Sequence, residues 1–326
     1  MIGTDRMPAK GPVVARIVDV AARAGVSTAT VSRVLNGRRV RPDLEESVRA
    51  AIAELDYVPN RTARSLRRQY SDVIALVIPD VENPFFTSVA RGVEDIAQQA
   101  GLSVVLCNTD DDVAKEKRYL TVAERENMAG VILAPAGDSP DLDPLTRRGR
   151  AVVVIDRAVA DDVDQVVFDN EALGRRAAAT LVARGHRDIA CITGPRSTPT
   201  AVYRAAGWRA ALAEAGLPAE RLIYANFRVD GGRSAMTELL DSGTPPDAVL
   251  ATNNLVGVGV LQVLAGWTGP GVDVGIIGDL PFATSDVQDV PRIGLNPRSM
   301  GVRAAELLVA RIAGTAGDPA TEVLSS

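Results

Sequence analysis

The sequence predicts a small all-α helix-turn-helix head followed by an α/β core of two doubly wound parallel sheets. Three observations carry this. Residues 17–35 hold two short amphipathic stretches joined by a glycine-containing turn. From residue 71 onward, apolar runs of strand length alternate with helical segments. The charge is also divided: residues 1–70 carry thirteen Lys+Arg against seven acids, +6, and the remainder carries 23 against 34, −11, so the net −5 hides a basic head on an acidic body. Such an asymmetry is the footprint of a nucleic-acid binder, although a chance surface excess would give the same sum.

In the head, Ile17–Ala24 places Ile17, Val20, Ala21 and Ala24 on one helical face. Gly25 follows, where a tight turn requires a positive φ. Ser27 is positioned to cap a second helix, Thr28–Leu35, which turns Val31, Val34 and Leu35 inward. Asn36-Gly37 is a stop signal. Small Ala21 lets the helices approach closely, as a helix-turn-helix requires. Thr28, Ala29, Ser32 and Arg33 remain on the outer face. There Arg33 suits a guanine edge, and Thr28 and Ala29 suit thymine methyls or backbone. A third helix runs from Pro42 to about Leu55, with Leu44, Val48, Ala51, Ile52 and Leu55 as its stripe. Arg61–Arg68 then surrounds Leu66 with charge. Leu66 is either an exposed linker leucine or an apolar wedge for a minor groove.

At 326 residues the chain exceeds one typical domain. The core strands are expected at 73–79, 102–108, 130–135, 151–156, 164–169, 188–194, 222–226, 247–252 and 274–278. Helices include Phe85–Ala100, Asp112–Asn127, Glu171–Arg184, Ala201–Ala215, Gly231–Ser242 and Leu255–Leu264. Continuous apolar strands between helices indicate parallel sheets covered on both faces. About ten β/α units are too many for one open sheet, so two subdomains are expected. Cys107 and Cys191 sit in apolar runs and read as reduced core residues.

The stretches VDVAARAGVSTATVSRVLNG and AAIAELDYVPN, with the RxxAxxL hinge, resemble the lactose/galactose repressor family, and the resemblance covers nearly the whole chain. It implies a bilobal core like that of periplasmic binding proteins, with the chain crossing between lobes three times. The implied organisation is an N-terminal extension (1–15), a helix-turn-helix domain (16–59), a hinge (60–71) and a core (72–326). Within the core, about 72–170 and 298–326 form one lobe and about 171–297 the other. The resemblance places Thr28, Ala29 and Arg33 at base-reading positions. It places Ala63 and Leu66 in the minor-groove hinge, and it implies dimers on near-palindromic double-stranded operators; a tetramer stays open. Ser32 and Asn36 complete the DNA-contacting set. Thr200, Arg204, Phe227, Asn253 and Asp279 map onto effector-binding positions of the cleft. Phe85 and Phe86, just after the first strand, are either core or cleft lining. Arg204 brings a planar fork suited to sugar hydroxyls or a carboxylate, and Phe227 a stacking face. A sugar is the expected effector, because Arg204, Asn253 and Asp279 offer polar grips around the stacking ring of Phe227; a purine is the weaker alternative, since Thr198 stands where purine-sensing relatives place an arginine.

Several departures from the family pattern are expected to matter. Arg16 and Arg41 stand where Thr and Ser would cap helices, leaving either a weaker head or two arginines for phosphate contact. Asn253-Asn254 replaces Asn-Asp. Gly278-Asp279-Leu280-Pro281 is about two residues short, so Asp279 fills the acid position or its neighbour. The family runs on for a strand beyond the segment matching TEVLSS, where this chain stops.

Two other function classes are disfavoured. A transport-type solute-binding protein conflicts with the basic head and with the start MIGTDRMPAKGPVVA, which has no apolar signal segment. An enzyme would need a P-loop, a GxSxG elbow, a strand-following GxGxxG or a metal cluster; none is present, and the single histidine, His186, makes a triad improbable. No cofactor is expected. No run of apolar residues is long enough to cross a membrane, so a cytoplasmic protein is expected. The expected function is a repressor whose operator affinity is controlled by a sugar between the lobes.

Overall fold

The structure is a computed structural model that describes residues 15–35, 39–57, 70–280 and 290–325. It divides into a unit over 1–69 and a unit over 70–326.

The first unit holds α1 (Ile17–Ala24), α2 (Thr28–Leu35) and α3 (Pro42–Glu54). Val20, Ala21, Val31, Val34, Val48, Ala51 and Tyr57 form their shared core. Gly25 adopts φ 67°, which closes the turn after α1 at no steric cost. Ser27 Oγ accepts from the Thr30 N–H at 3.2 Å, the cap the sequence calls for. The two atypical caps differ in their consequences. At α1 the Arg16 N–H donates to the Asp19 carboxylate at 2.7 Å, so half of a capping box survives without the threonine. At α3 the Arg41 side chain caps nothing and pairs with Asp43, while Pro42 at the first helical position removes one donor in need of a partner. Arg23 ties α1 to Glu54 of α3 at 2.8 Å.

The second unit is built on two parallel sheets. Its elements are β1 (Val73–Ile78), α4 (Pro84–Gln99), β2 (Ser103–Asn108), α5 (Val113–Arg125), β3 (Gly130–Leu133), α6 (Asp143–Thr146), β4 (Ala151–Ile155) and β5 (Asp164–Phe168). There follow α7 (Asn170–Ala183), β6 (Ile189–Thr193), α8 (Pro199–Glu214), β7 (Leu222–Tyr224), α9 (Val229–Asp241), β8 (Ala248–Ala251) and α10 (Asn254–Leu264). The last are β9 (Asp273–Ile277), β10 (Arg292–Ile293), α11 (Pro297–Ala313) and β11 (Thr321–Leu324). One sheet runs β11-β5-β4-β3-β1-β2 and the other β10-β9-β8-β6-β7. Every pairing is parallel. The central strands are buried along their length, as parallel strands covered by helices must be. In each sheet the strand order reverses once, at β1/β3 and at β6/β8, and a cleft opens beyond the carboxyl ends at such points.

Sequence periodicity omits β10, β11, α6 and α11. The two-residue β10 is too short to register, and β11 alternates half-buried with exposed. The segment TEVL is itself the edge strand beside β5. It is fastened by Arg303, whose Nε and Nη2 each donate to Glu322 at 2.6 Å, and by Asp164, which takes Arg311 and the Ala320 N–H. The chain passes from one sheet to the other at 169–170 and at 294–296; β11 returns to the first sheet, so the described residues show two passages where three were expected. Among the described residues no helix is long and apolar enough to cross a membrane.

Glycines set how closely the helices meet. A Cβ at Gly207 of α8 would lie 2.0 Å from the Glu171 carbonyl oxygen, and one at Gly174 of α7 would lie 2.0 Å from that of Arg204. The pair presses α8 onto α7 and fixes the depth from which Arg204 reaches inward.

Candidate functional site

Loops at the carboxyl ends of both sheets enclose a cavity of about 250 Å³. The β1–α4 loop supplies Asp80 and Asn83, the first turn of α4 supplies Phe85 and Phe86, and Asp156 and Arg157 directly follow β4. The second sheet contributes Thr200 and Arg204 after β6, Asn226–Arg228 after β7, Asn253 and Asn254 after β8, and Asp279 after β9. All seven residues expected in the cleft line this one cavity: Phe85, Phe86, Thr200, Arg204, Phe227, Asn253 and Asp279.

Each is held by its element. Pro84 opens α4 and Asn83 caps it, accepting from the Phe85 N–H at 3.0 Å. Phe85 meets Phe86 edge-on with ring centroids 5.0 Å apart and also approaches Phe168 at 6.4 Å. The core and lining alternatives for these rings are not exclusive, because Phe86 is buried in the hydrophobic core and still presents an edge to the cavity. Asn253 caps α10 by accepting from Val256 N–H at 2.8 Å, and its amide donates to the Phe227 carbonyl at 3.0 Å, which steadies the loop bearing that ring. Thr198 holds the position before α8 without a side-chain capping bond and does not line the cavity.

Arg204 is 5% exposed, not a surface arginine. Its Nε donates to Asn170 Oδ1 at 2.8 Å and its Nη1 to the Thr252 carbonyl at 2.7 Å. Burial lowers its pKa, an effect opposed by the charge of Asp156. These bonds spread and orient the fork, and the facing carboxylate compensates its charge.

Asp156 and Arg157 escaped the sequence reading. Asp156 sits in the left-handed region at φ 65°, which is strained for a non-glycine residue and aims its side chain into the cleft. Its carboxylate is almost wholly enclosed, and its pKa is raised by burial against the pull of Arg157 and Arg204. Among the described residues no donor lies within hydrogen-bond distance of it; the nearest cation atom, Arg157 Nε, is 3.7 Å away. That Nε is itself buried without a hydrogen-bond partner, while Arg157 Nη1 donates to Asp111 at 2.6 Å and to the Pro135 carbonyl at 2.8 Å. The available signal was placement: a charged pair directly after the apolar run AVVVI, at a strand end facing the cleft.

Two side chains of the second sheet's lobe, Arg228 and Asn254, make polar contacts across the cleft. Arg228 Nη2 of the second sheet's lobe approaches Asp80 at 3.5 Å and Asp110 at 3.9 Å. Asn254 Nδ2 donates to Asn83 Oδ1 at 3.4 Å, so the asparagine that replaces the usual aspartate spans the lobes.

In the head unit, Thr28, Ala29 and Arg33 are exposed and Ser32 is half-buried along the outer face of α2. Asn36, Ala63 and Leu66 lie outside the described residues.

Comparison with known proteins agrees with both units. Residues 71–319 match the family of periplasmic binding proteins and sugar binding domain of LacI family, and residues 16–60 match bacterial regulatory proteins, lacI family. The chain is 35% identical over 308 residues to the ribose operon repressor of Escherichia coli strain K12, covering 91% of this chain and 93% of the relative. The structure of a transcriptional regulator CelR–cellobiose complex superposes with TM-score 0.70 at 33% identity, over 95% of this chain and 97% of that one. The lac repressor dimer bound to operator and an anti-inducer shares the fold, with TM-score 0.83 at 24% identity over 95% and 96% of the chains.

Proposed function

This chain belongs to the LacI family of bacterial regulatory proteins, and from that premise we propose that it is a cytoplasmic, homodimeric repressor whose operator affinity is set by one sugar molecule in the cleft. It is a DNA-binding transcriptional regulator and not an enzyme. The observation that carries the effector reading is the cavity itself. Its volume of about 250 Å³ lies below the roughly 300–1,000 Å³ of pockets for drug-sized ligands and suits a single sugar ring. Phe85 and Phe227 offer apolar faces; Arg204, Asn253, Asp156 and Asp279 offer donors and acceptors around them. A monosaccharide fits this inventory better than cellobiose, and the ribose operon repressor at 35% identity supports a pentose such as ribose.

On the DNA side, Thr28, Ala29, Ser32 and Arg33 read base edges, with Asn36 at the end of the helix, and Ala63 and Leu66 act in the minor groove as a paired wedge from two subunits. The operator is then near-palindromic. Dimerisation is supported by Val105 and Leu106, exposed on the edge strand β2, with Val113 and Val122 on the following helix. Differential affinity of the sugar for two dimer states is the coupling.

Thermal-shift screening of free monosaccharides tests the effector reading. A rise in melting temperature that grows with concentration is expected for one of them, and a shift only with cellobiose would refute a one-ring site.

A further inference from the structure

We propose that the turn between β2 and α5, Thr109–Asp112, is a sprung link that carries the relative placement of the two lobes to the dimer face, a role that rests on the dimer reading above and deepens it.

The turn is strained at its centre and fixed at both ends. The Asp112 N–H donates to the Thr109 carbonyl at 3.0 Å, and the two residues between, Asp110 and Asp111, have φ 54° and 58°. Two successive residues at positive φ are the pattern of a type I′ turn, which Asn-Gly fills readily. Here both residues carry a Cβ, a cost that contacts from outside must offset. On one side Thr109 is fully buried and its N–H donates to the Ile78 carbonyl at 2.9 Å. On the other, Asp112 caps α5 by accepting from the Ala114 N–H at 2.7 Å and the Lys115 N–H at 3.2 Å. Relaxation of Asp110 and Asp111 therefore changes the direction in which α5 leaves β2.

The contacts that hold the strained pair come from three places. Lys115 of α5 and Asn108, the last residue of β2, both bind the Asp110 carboxylate. Arg157, buried in the cleft wall, donates to Asp111 at 2.6 Å. Arg228 reaches Asp110 from the other lobe at 3.9 Å. Lys115 and Asn108 belong to the elements the turn joins. Arg157 and Arg228 do not: the first ties the turn to the cleft wall, and the second holds it only while the lobes stand close.

The two elements joined by the turn are those of the dimer face. β2 carries the exposed Val105 and Leu106, and α5 carries the exposed Val113 and Val122. Val113 lies two residues beyond Asp111. When the lobes part, Arg228 is withdrawn, the strained pair loses a holding charge, and α5 pivots against β2. The apolar residues of the two elements then no longer match those of a second copy. A turn with two arrangements, biased from the cleft and read at the dimer face, is the physical form that coupling between these places requires.

The test is sedimentation equilibrium of the full-length protein over a wide range of concentrations, with no ligand added. The variants are Asp111→Ala, Asp111→Gly, Arg228→Met and the double variant of Asp111→Ala with Arg228→Met. Alanine and glycine both remove the bond to Arg157, but glycine takes the positive φ without strain. Asp111→Ala is expected to weaken the dimer about tenfold, as one relaxing left-handed residue would, and Asp111→Gly to stay within about twofold of the wild type. Arg228→Met is expected to weaken the dimer about threefold in the wild type and to have no effect in Asp111→Ala, where the turn has already relaxed. Equal dimer constants for Asp111→Ala and wild type overturn the proposal, and so does an Asp111→Gly dimer as weak as that of Asp111→Ala. An Arg228→Met effect of the same size in both backgrounds overturns the link to the other lobe. Arg228→Met without effect on the wild type overturns it as well, so a misfolded Asp111→Ala does not spare the proposal. A wild type that sediments as a monomer throughout removes the dimer reading, and this inference with it.

Discussion

Replacing Arg228 by methionine keeps most of the side chain's volume and removes the cation that bridges the lobes. Its partners are Asp80 at 3.5 Å and Asp110 at 3.9 Å. The Arg228 side chain is 45% exposed, and those of Asp80 and Asp110 are 14% and 44% exposed, so neither pair has the strength of a buried bridge. Exposed pairs contribute about 0.2–1 kcal/mol each, which makes about 1 kcal/mol a reasonable sum for the two. An effector that binds the lobes as arranged here should lose that much on the substitution, roughly a fivefold loss of affinity. Salt provides an internal control, because exposed charge pairs are screened over about 8–10 Å at ordinary ionic strength. Calorimetric titration of the effector at low and high salt should show affinity falling with salt in the wild type and flattening in Arg228→Met, with Arg228→Lys in between. Equal affinities and equal salt slopes in wild type and Arg228→Met would show that these pairs do not stabilise the ligand-binding arrangement.

Three further outcomes are expected. Arg204→Met strands the Asn170 and Thr252 acceptors and leaves Asp156 facing one cation fewer, so denaturant unfolding should show a loss of about 3–5 kcal/mol, with effector binding abolished. Gly207→Ala drives a Cβ into the Glu171 carbonyl, which can yield only if α7 and α8 part; stability should fall by about 1–3 kcal/mol, and effector affinity should fall with it because Arg204 rides on α8. The Arg303 fork holds the Glu322 carboxyl below the ordinary glutamate range. A depressed folded-state value means that the stabilisation of β11 is fully present above that ordinary range and is lost as pH falls through the depressed value. Hydrogen exchange should accordingly show β11 amides losing protection on acidification before the central strands do, and Glu322→Gln should show the same loss at neutral pH.

The head was the most legible part of the chain. Periodicity and punctuation agree there: the bounds of α1 and α2 coincide with the apolar spacing, Gly25 has the positive φ its position demands, and Ser27 makes its cap. In the core, long buried strands such as β1 and β4 announce themselves as apolar runs. Elements whose burial comes from pairing across the chain do not: β10 is two residues long, and β11 is held by Arg303 and Asp164, partners remote in sequence. The cleft shows the same division. Arg204 and Asn253 stand at recognisable positions and are legible in the sequence. Asp156, Arg157 and Arg228 are not, because what distinguishes them is a strained φ, an unsatisfied carboxylate and a bridge between lobes. Spacing carries none of these.

In the proposed function a sugar in the cleft controls binding of DNA by the head. The most direct test of that control is fluorescence anisotropy of a near-palindromic operator duplex titrated at fixed salt, with and without a saturating free monosaccharide identified by thermal shift. Operator affinity should change by a factor of about 5–150, and sugar affinity should change by the same factor when operator is bound, as linkage requires. An operator affinity identical with and without the bound sugar would mean that the cleft does not control the head.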